Sequence, residues 1–103
     1  MPNNNIQSVE RALRLLQVVA AQEDWVGVRE LSRATGLKPP TAQNLLKTLA
    51  AAGFLEFSTA TRGYRLGLAA LRLAETADSR SRLADFARED VDRLSQEFGE
   101  TVA

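Results

Sequence analysis

Arg29-Glu30-Leu31-Ser32-Arg33-Ala34-Thr35-Gly36-Leu37-Lys38-Pro39-Pro40-Thr41-Ala42-Gln43-Asn44-Leu45-Leu46-Lys47-Thr48-Leu49 reads as two helices joined by a tight turn. Leu31 and Ala34 are the inward positions of a short helix over residues 29–35. Gly36 ends it, because glycine enters the left-handed region without a Cβ clash. Pro40 suits the first position of a second helix, where the missing N–H has no intrahelical partner to lose. Ala42, Leu45, Leu46 and Leu49 then form an apolar stripe, and Gly53 closes the helix. Thr41, Gln43, Asn44 and Lys47 are left on the outer face. No Asp or Glu lies between Arg33 and Leu55.

Upstream, Ser8 is placed to cap a helix running to about Gln22, with Glu10 in its first turn. Val9, Ala12, Leu13, Leu16 and Ala20 recur at helical spacing as its inward stripe. Leu15, Val18 and Val19 exceed what one small core consumes. Either the helix is buried on all sides or that surplus meets a partner chain, so these three residues, with Leu68 and Leu71, are candidate dimer contacts.

Downstream, Trp25-Val26-Gly27-Val28 is short and β-prone. Phe54-Leu55-Glu56-Phe57 and Tyr64-Arg65-Leu66 alternate as strands, and the turn-forming residues 58–63 join them into a hairpin. A helical segment, 68–74, precedes the polar stretch Asp78-Ser79-Arg80-Ser81-Arg82, which reads as a hinge. Leu83, Ala87, Val91, Leu94 and Phe98 stripe a fifth helix ended by Gly99.

At 103 residues, with 45% hydrophobic and 25% charged, the chain suits one small folded domain with an appended segment. It contains neither cysteine nor histidine, which removes thiolate chemistry, the commonest general base and the usual zinc ligands. The remaining carboxylates of interest, Glu89, Asp90 and Asp92, spread around a helix instead of converging, so no enzyme and no cofactor is expected. Leu13 to Ala21 is interrupted by Arg14 and Gln17 and is too short to span a membrane. Residues 1–5 lack the features of a signal peptide and read as a disordered leader, and a cytoplasmic setting is expected.

Net charge is zero but unevenly placed. Through residue 74 there are nine Lys/Arg against five Asp/Glu; from residue 75 there are four against eight. Between Arg29 and Arg72 the ratio sharpens to seven against two, a local field suited to a polyanion.

Helix, short helix, glycine turn, exposed helix, hairpin is the order of a winged helix-turn-helix: mainly α with a small β-hairpin. In that fold the polar face of the second turn-linked helix enters the major groove and the hairpin reaches the flanking backbone. Gln43 and Asn44 match the N6 and N7 atoms of adenine, and Lys47 suits guanine or phosphate. Thr41 sits where a helix N-terminus meets phosphate. Arg29, Lys38 and Pro40 around the turn and Arg62, Tyr64 and Arg65 in the hairpin complete the expected contact set to double-stranded DNA. One such helix reads few base pairs, so a homodimer on half-sites about 34 Å apart is expected. The rival reading is a winged-helix module that binds protein instead.

Ser8-Val9-Glu10-Arg11-Ala12-Leu13-Arg14-Leu15-Leu16, Arg29 to Leu37, Thr41 to Leu49 and Gly63-Tyr64-Arg65-Leu66-Gly67 together resemble the amino-terminal half of the isocitrate lyase regulator (IclR) family of bacterial transcription factors. The resemblance implies a leader over 1–7, a DNA-binding domain over 8–67 and a linker helix and hinge over 68–80. It implies, over 81–103, the first helix and start of a larger domain that senses a small-molecule effector, with dimers and, in a longer chain, tetramers. The family usually has Ser where Pro40 stands and commonly Arg where Asn44 stands. Those departures exchange a capping hydroxyl for a ring and a guanine-type reader for an adenine-type one.

Overall fold

The computed structural model describes residues 5–75 and 81–89. Its elements, in chain order, are α1 (Gln7–Ala20), β1 (Val26–Gly27), α2 (Val28–Thr35), α3 (Pro39–Ala51), β2 (Leu55–Ser58), β3 (Gly63–Leu66) and α4 (Leu68–Leu73). Residues up to 73 form one compact unit and those from 74 a second. In the second, residues 81–89 are helical. The hinge expected at 78–82 lies mostly outside the described residues, as do the later positions of the fifth helix.

The first unit packs three of its four helices, α1, α2 and α3, with a small antiparallel sheet of order β1-β3-β2. Leu15, Val19, Val26, Leu31, Ala42, Leu46, Leu55 and Tyr64 form the core. These residues come from all three helices and all three strands, so the sheet is part of the fold's closure. β1 has only two residues, paired Val26 to Tyr64 and Gly27 to Gly63. The sequence reading treated this segment as β-prone but gave it no partner.

Helix α1 is rotated from the sequence expectation. Leu15 and Val19 are 0% and 2% exposed, while Val9 and Leu13 are 54% and 51% exposed. The core therefore takes most of the stripe expected to meet a partner, and of the expected inward stripe Leu16 packs against it. Leu15 and Val19 are corrected from dimer contacts to core residues, and Val18 is half-buried against the same cluster. The physical reason is that 14 residues carried two overlapping apolar stripes, and packing against α2 and α3 selected one. The helix also starts at Gln7 behind an Ile6 N-cap with no side-chain cap bond, so Ser8 is helical and Gln7 is not leader.

In α2 the inward pair is Leu31 and Thr35, one turn apart, with Ala34 exposed. Burying Thr35 is tolerated because its hydroxyl donates to the Leu31 carbonyl at 2.8 Å. Gly36 takes φ +76 as the left-handed cap. Arg14 of α1 donates from its guanidinium to the Thr35 carbonyl at 3.0 Å, placing a cation at the negative end of α2. Helix α3 begins one residue earlier than expected, with Lys38 as N-cap and both prolines in its first turn. It ends in a complete Schellman motif: Phe54 N–H donates to Leu49 O at 2.9 Å and Gly53 N–H to Ala50 O at 3.0 Å.

Candidate nucleic-acid interface

The outward face of α3 carries Gln43, Asn44 and Lys47, all exposed, with Ala42 and Leu46 holding the opposite face in the core. Thr41 is half-buried. With prolines at the first two helical positions, Thr41 carries the only backbone N–H among the first three residues of the helix. Lys38 and Pro40 are exposed beside it.

Helix α3, the start of α2 and the hairpin enclose an open groove. Arg29, Gln43, Lys47, Phe57, Arg62 and Tyr64 are among its lining residues. Three cations therefore converge on it from three separate elements, and no carboxylate lines it. Asn44, one residue further around α3, is exposed but not part of this lining.

The hairpin is built to aim Arg62. Arg62 N–H donates to Ser58 O at 2.7 Å, Thr61 N–H to Ser58 Oγ at 3.2 Å and Gly63 N–H to Thr61 Oγ1 at 3.3 Å. The turn puts Arg62 at φ +58, the one non-glycine residue with positive φ among the described residues. That conformation costs an L-residue about 1–2 kcal/mol. Glycine would relieve the strain, whereas arginine puts a charged side chain at the groove mouth.

Two expected contacts stand differently. Tyr64 is 4% exposed and belongs to the core, its ring tilted against Phe57 with centroids 5.0 Å apart. Burial pushes its phenol above the ordinary value, so the hydroxyl stays neutral. It supports the groove floor instead of reaching out from it. Arg65 projects to the other face of the sheet, where its Nε donates to Glu56 Oε2 at 3.2 Å and its guanidinium lies over Trp25. It is not a groove cation, because alternation along β3 sends Tyr64 and Arg65 to opposite faces.

Phe57 is the groove residue that the sequence reading missed. It is 43% exposed and pairs across the hairpin with Tyr64. The available signal was its alternation with Glu56, which puts it on the face of Leu55. Among the described residues no group of acidic side chains is placed to hold a metal ion, and no helix is long and apolar enough to cross a membrane.

Comparison with known proteins gives a family for the fold. Residues 8–59 match the model of the IclR helix-turn-helix domain. The chain is 37% identical over 98 residues to the glycerol operon regulatory protein of Streptomyces coelicolor, covering 95% of this chain and 39% of that protein. It is 38% identical over 63 residues to the HTH-type transcriptional regulator XynR of Escherichia coli, covering 61% of this chain and 25% of that one. Among solved structures, an IclR family transcriptional regulator from Brucella abortus superposes with a TM-score of 0.63 at 30% identity, over 68% of this chain and 26% of that one. An IclR homolog from Microbacterium sp. shares the fold, with a TM-score of 0.70 at 22% identity over 89% of this chain and 38% of the other. The chain thus spans about two fifths or less of the length of these relatives.

Proposed function

The chain belongs to the IclR helix-turn-helix family, and from that premise we propose that it is the DNA-binding portion of a sequence-specific transcriptional regulator that responds to a small molecule. The observation that carries the reading is the groove between α3 and the hairpin, with Arg29, Lys47 and Arg62 at its edges and no carboxylate in its lining. Phosphates on those cations supply affinity, and the amides on the outer face of α3 supply sequence preference. The named relatives are regulators, not enzymes, and nothing in the groove favours a protein partner over DNA.

The test is a binding titration against duplex DNA selected from a random pool. Lys47→Ala is expected to weaken binding similarly across sequences and to reduce the salt slope by about one unit. Asn44→Ala is expected to relax preference at one or two adenine positions by about 1–3 kcal/mol while sparing non-specific binding. Binding that ignores salt, or base preference unchanged in Asn44→Ala, overturns the corresponding role.

A second copy of the chain is the proposed partner on the side of α1 away from the core. Ile6, Val9 and Leu13 are exposed along that helix, and Leu68 and Leu71 of α4 are 61% and 50% exposed. Leu68 and Leu71 line a groove with Ala20 at the end of α1, alongside the charged Glu23, Asp24, Glu56 and Arg65. Leu13→Glu is expected to leave the fold intact and shift sedimentation from dimer toward monomer; an unchanged sedimentation profile assigns the interface elsewhere. The effector would be bound by a domain corresponding to the remaining length of the relatives.

A further inference from the structure

The outer face of the sheet carries an interaction that the groove does not use. Alternation turns Val26, Leu55, Phe57, Tyr64 and Leu66 to one face and the cross-strand pair Glu56 and Arg65 to the other. Extending the Val26 to Tyr64 register by one residue brings Trp25 opposite Arg65. The Arg65 guanidinium lies 4.2 Å from the centre of the Trp25 ring while its Nε donates to Glu56. Aromatic, cation and carboxylate therefore form one row across the sheet, from the connection after α1 to the outer strand of the hairpin.

We propose that this row sets the angle of the hairpin against the helical body, making Arg65 a positioning residue that acts on DNA through Arg62 without touching it. The proposal rests on the reading of the groove as a DNA site. β1 holds the hairpin by only two residue pairs, so the backbone ladder alone fixes its tilt poorly. Trp25 packs directly on the turn end of the hairpin, where Gly63 pairs with Ser58, since a Cβ added at Gly63 would lie 2.9 Å from the Trp25 Cβ. A planar guanidinium stacks and donates from its edge at once, which fixes orientation as well as distance. The Arg65 and Glu56 side chains are 55% and 52% exposed, so their contribution is to geometry more than to folding stability.

The test uses the 103-residue chain, a labelled duplex selected by the unaltered protein, and a thermal melt of every variant. Trp25→Leu changes no charge and is expected to weaken binding about three- to tenfold. Trp25→Phe keeps a ring face and is expected to restore most of that loss. Glu56→Ala is expected to weaken binding as well, although it removes a negative charge near DNA. The sign is decisive: if Arg65 were a phosphate ligand restrained by its neighbours, Trp25→Leu and Glu56→Ala would free it and tighten binding. Equal or tighter binding in both variants overturns the proposal. Should Trp25→Leu fail to fold, Glu56→Ala at an exposed position decides alone. Failure of the DNA reading itself looks different, as no duplex retained by the unaltered protein or no effect of Lys47→Ala.

Discussion

Leu15→Ala is expected to lower the stability of the folded domain by about 2–5 kcal/mol, the cost of emptying a core site that cannot collapse. Leu15 has no exposed surface and sits at the junction of α1 with α2, α3 and the sheet. In a domain this small each kcal/mol moves the melting temperature by roughly 4–8 °C, so a shift of tens of degrees or outright unfolding is expected. Val9→Ala, on the same helix but 54% exposed, is expected to change stability in dilute solution by no more than about 0.5 kcal/mol. Urea titration of the two variants checks the rotation of α1. A larger loss for Val9→Ala than for Leu15→Ala would mean that the helix turns its other stripe to the core.

The same helix shows where sequence reasoning stops. Apolar spacing identified α1 and its approximate ends, and Leu16 packs against the core as expected, but Val9, Leu13 and Ala20 match a helical repeat as well as Leu15 and Val19 do. Only the partners distinguish them: the winning stripe is the one that meets Leu31, Leu46 and Tyr64. Gly36 and the outward residues of α3 were legible because each has a local cause, a left-handed cap in one case and a 3.6-residue period in the other. Thr35 was not, because its burial depends on a hydroxyl bond within its own helix. For the site, Gln43, Lys47, Arg29 and Arg62 were found as basic or amide residues near a turn, and the structure brings them to one groove. Arg65 looked like them in composition. Its separation follows from strand register, and that register includes a two-residue strand too short to leave a periodic signal. Counting charges in a hairpin therefore overestimates how many line one groove, since alternate positions face away.

Gly67→Ala is expected to be the most damaging single methyl added to the chain. A Cβ there would lie 2.3 Å from the Gly53 carbonyl oxygen and 3.0 Å from the carbonyl carbons of Gly53 and Leu55, all backbone atoms. The two glycines meet where the end of α3 turns into the hairpin and where the hairpin turns into α4. Gly67 N–H donates to Phe54 O at 2.9 Å and Ala69 N–H to Gly53 O at 3.0 Å, so the start of α4 is bonded directly to the end of α3. Opening that contact by the amount a methyl needs strains the packing and weakens both bonds, a combined loss of about 2–4 kcal/mol. Gly53→Ala provides the comparison. Its Cβ would meet only the Ala69 Cβ at an ordinary 3.4 Å, and the penalty there comes from holding φ at +84, about 1–2 kcal/mol. Amide hydrogen exchange separates the two: Gly67→Ala should strip protection from the Gly67 and Ala69 amides, whereas Gly53→Ala should lower protection more evenly. A larger stability loss in Gly53→Ala would show that the left-handed turn, and not the close approach of the two backbones, holds α4 to the end of α3.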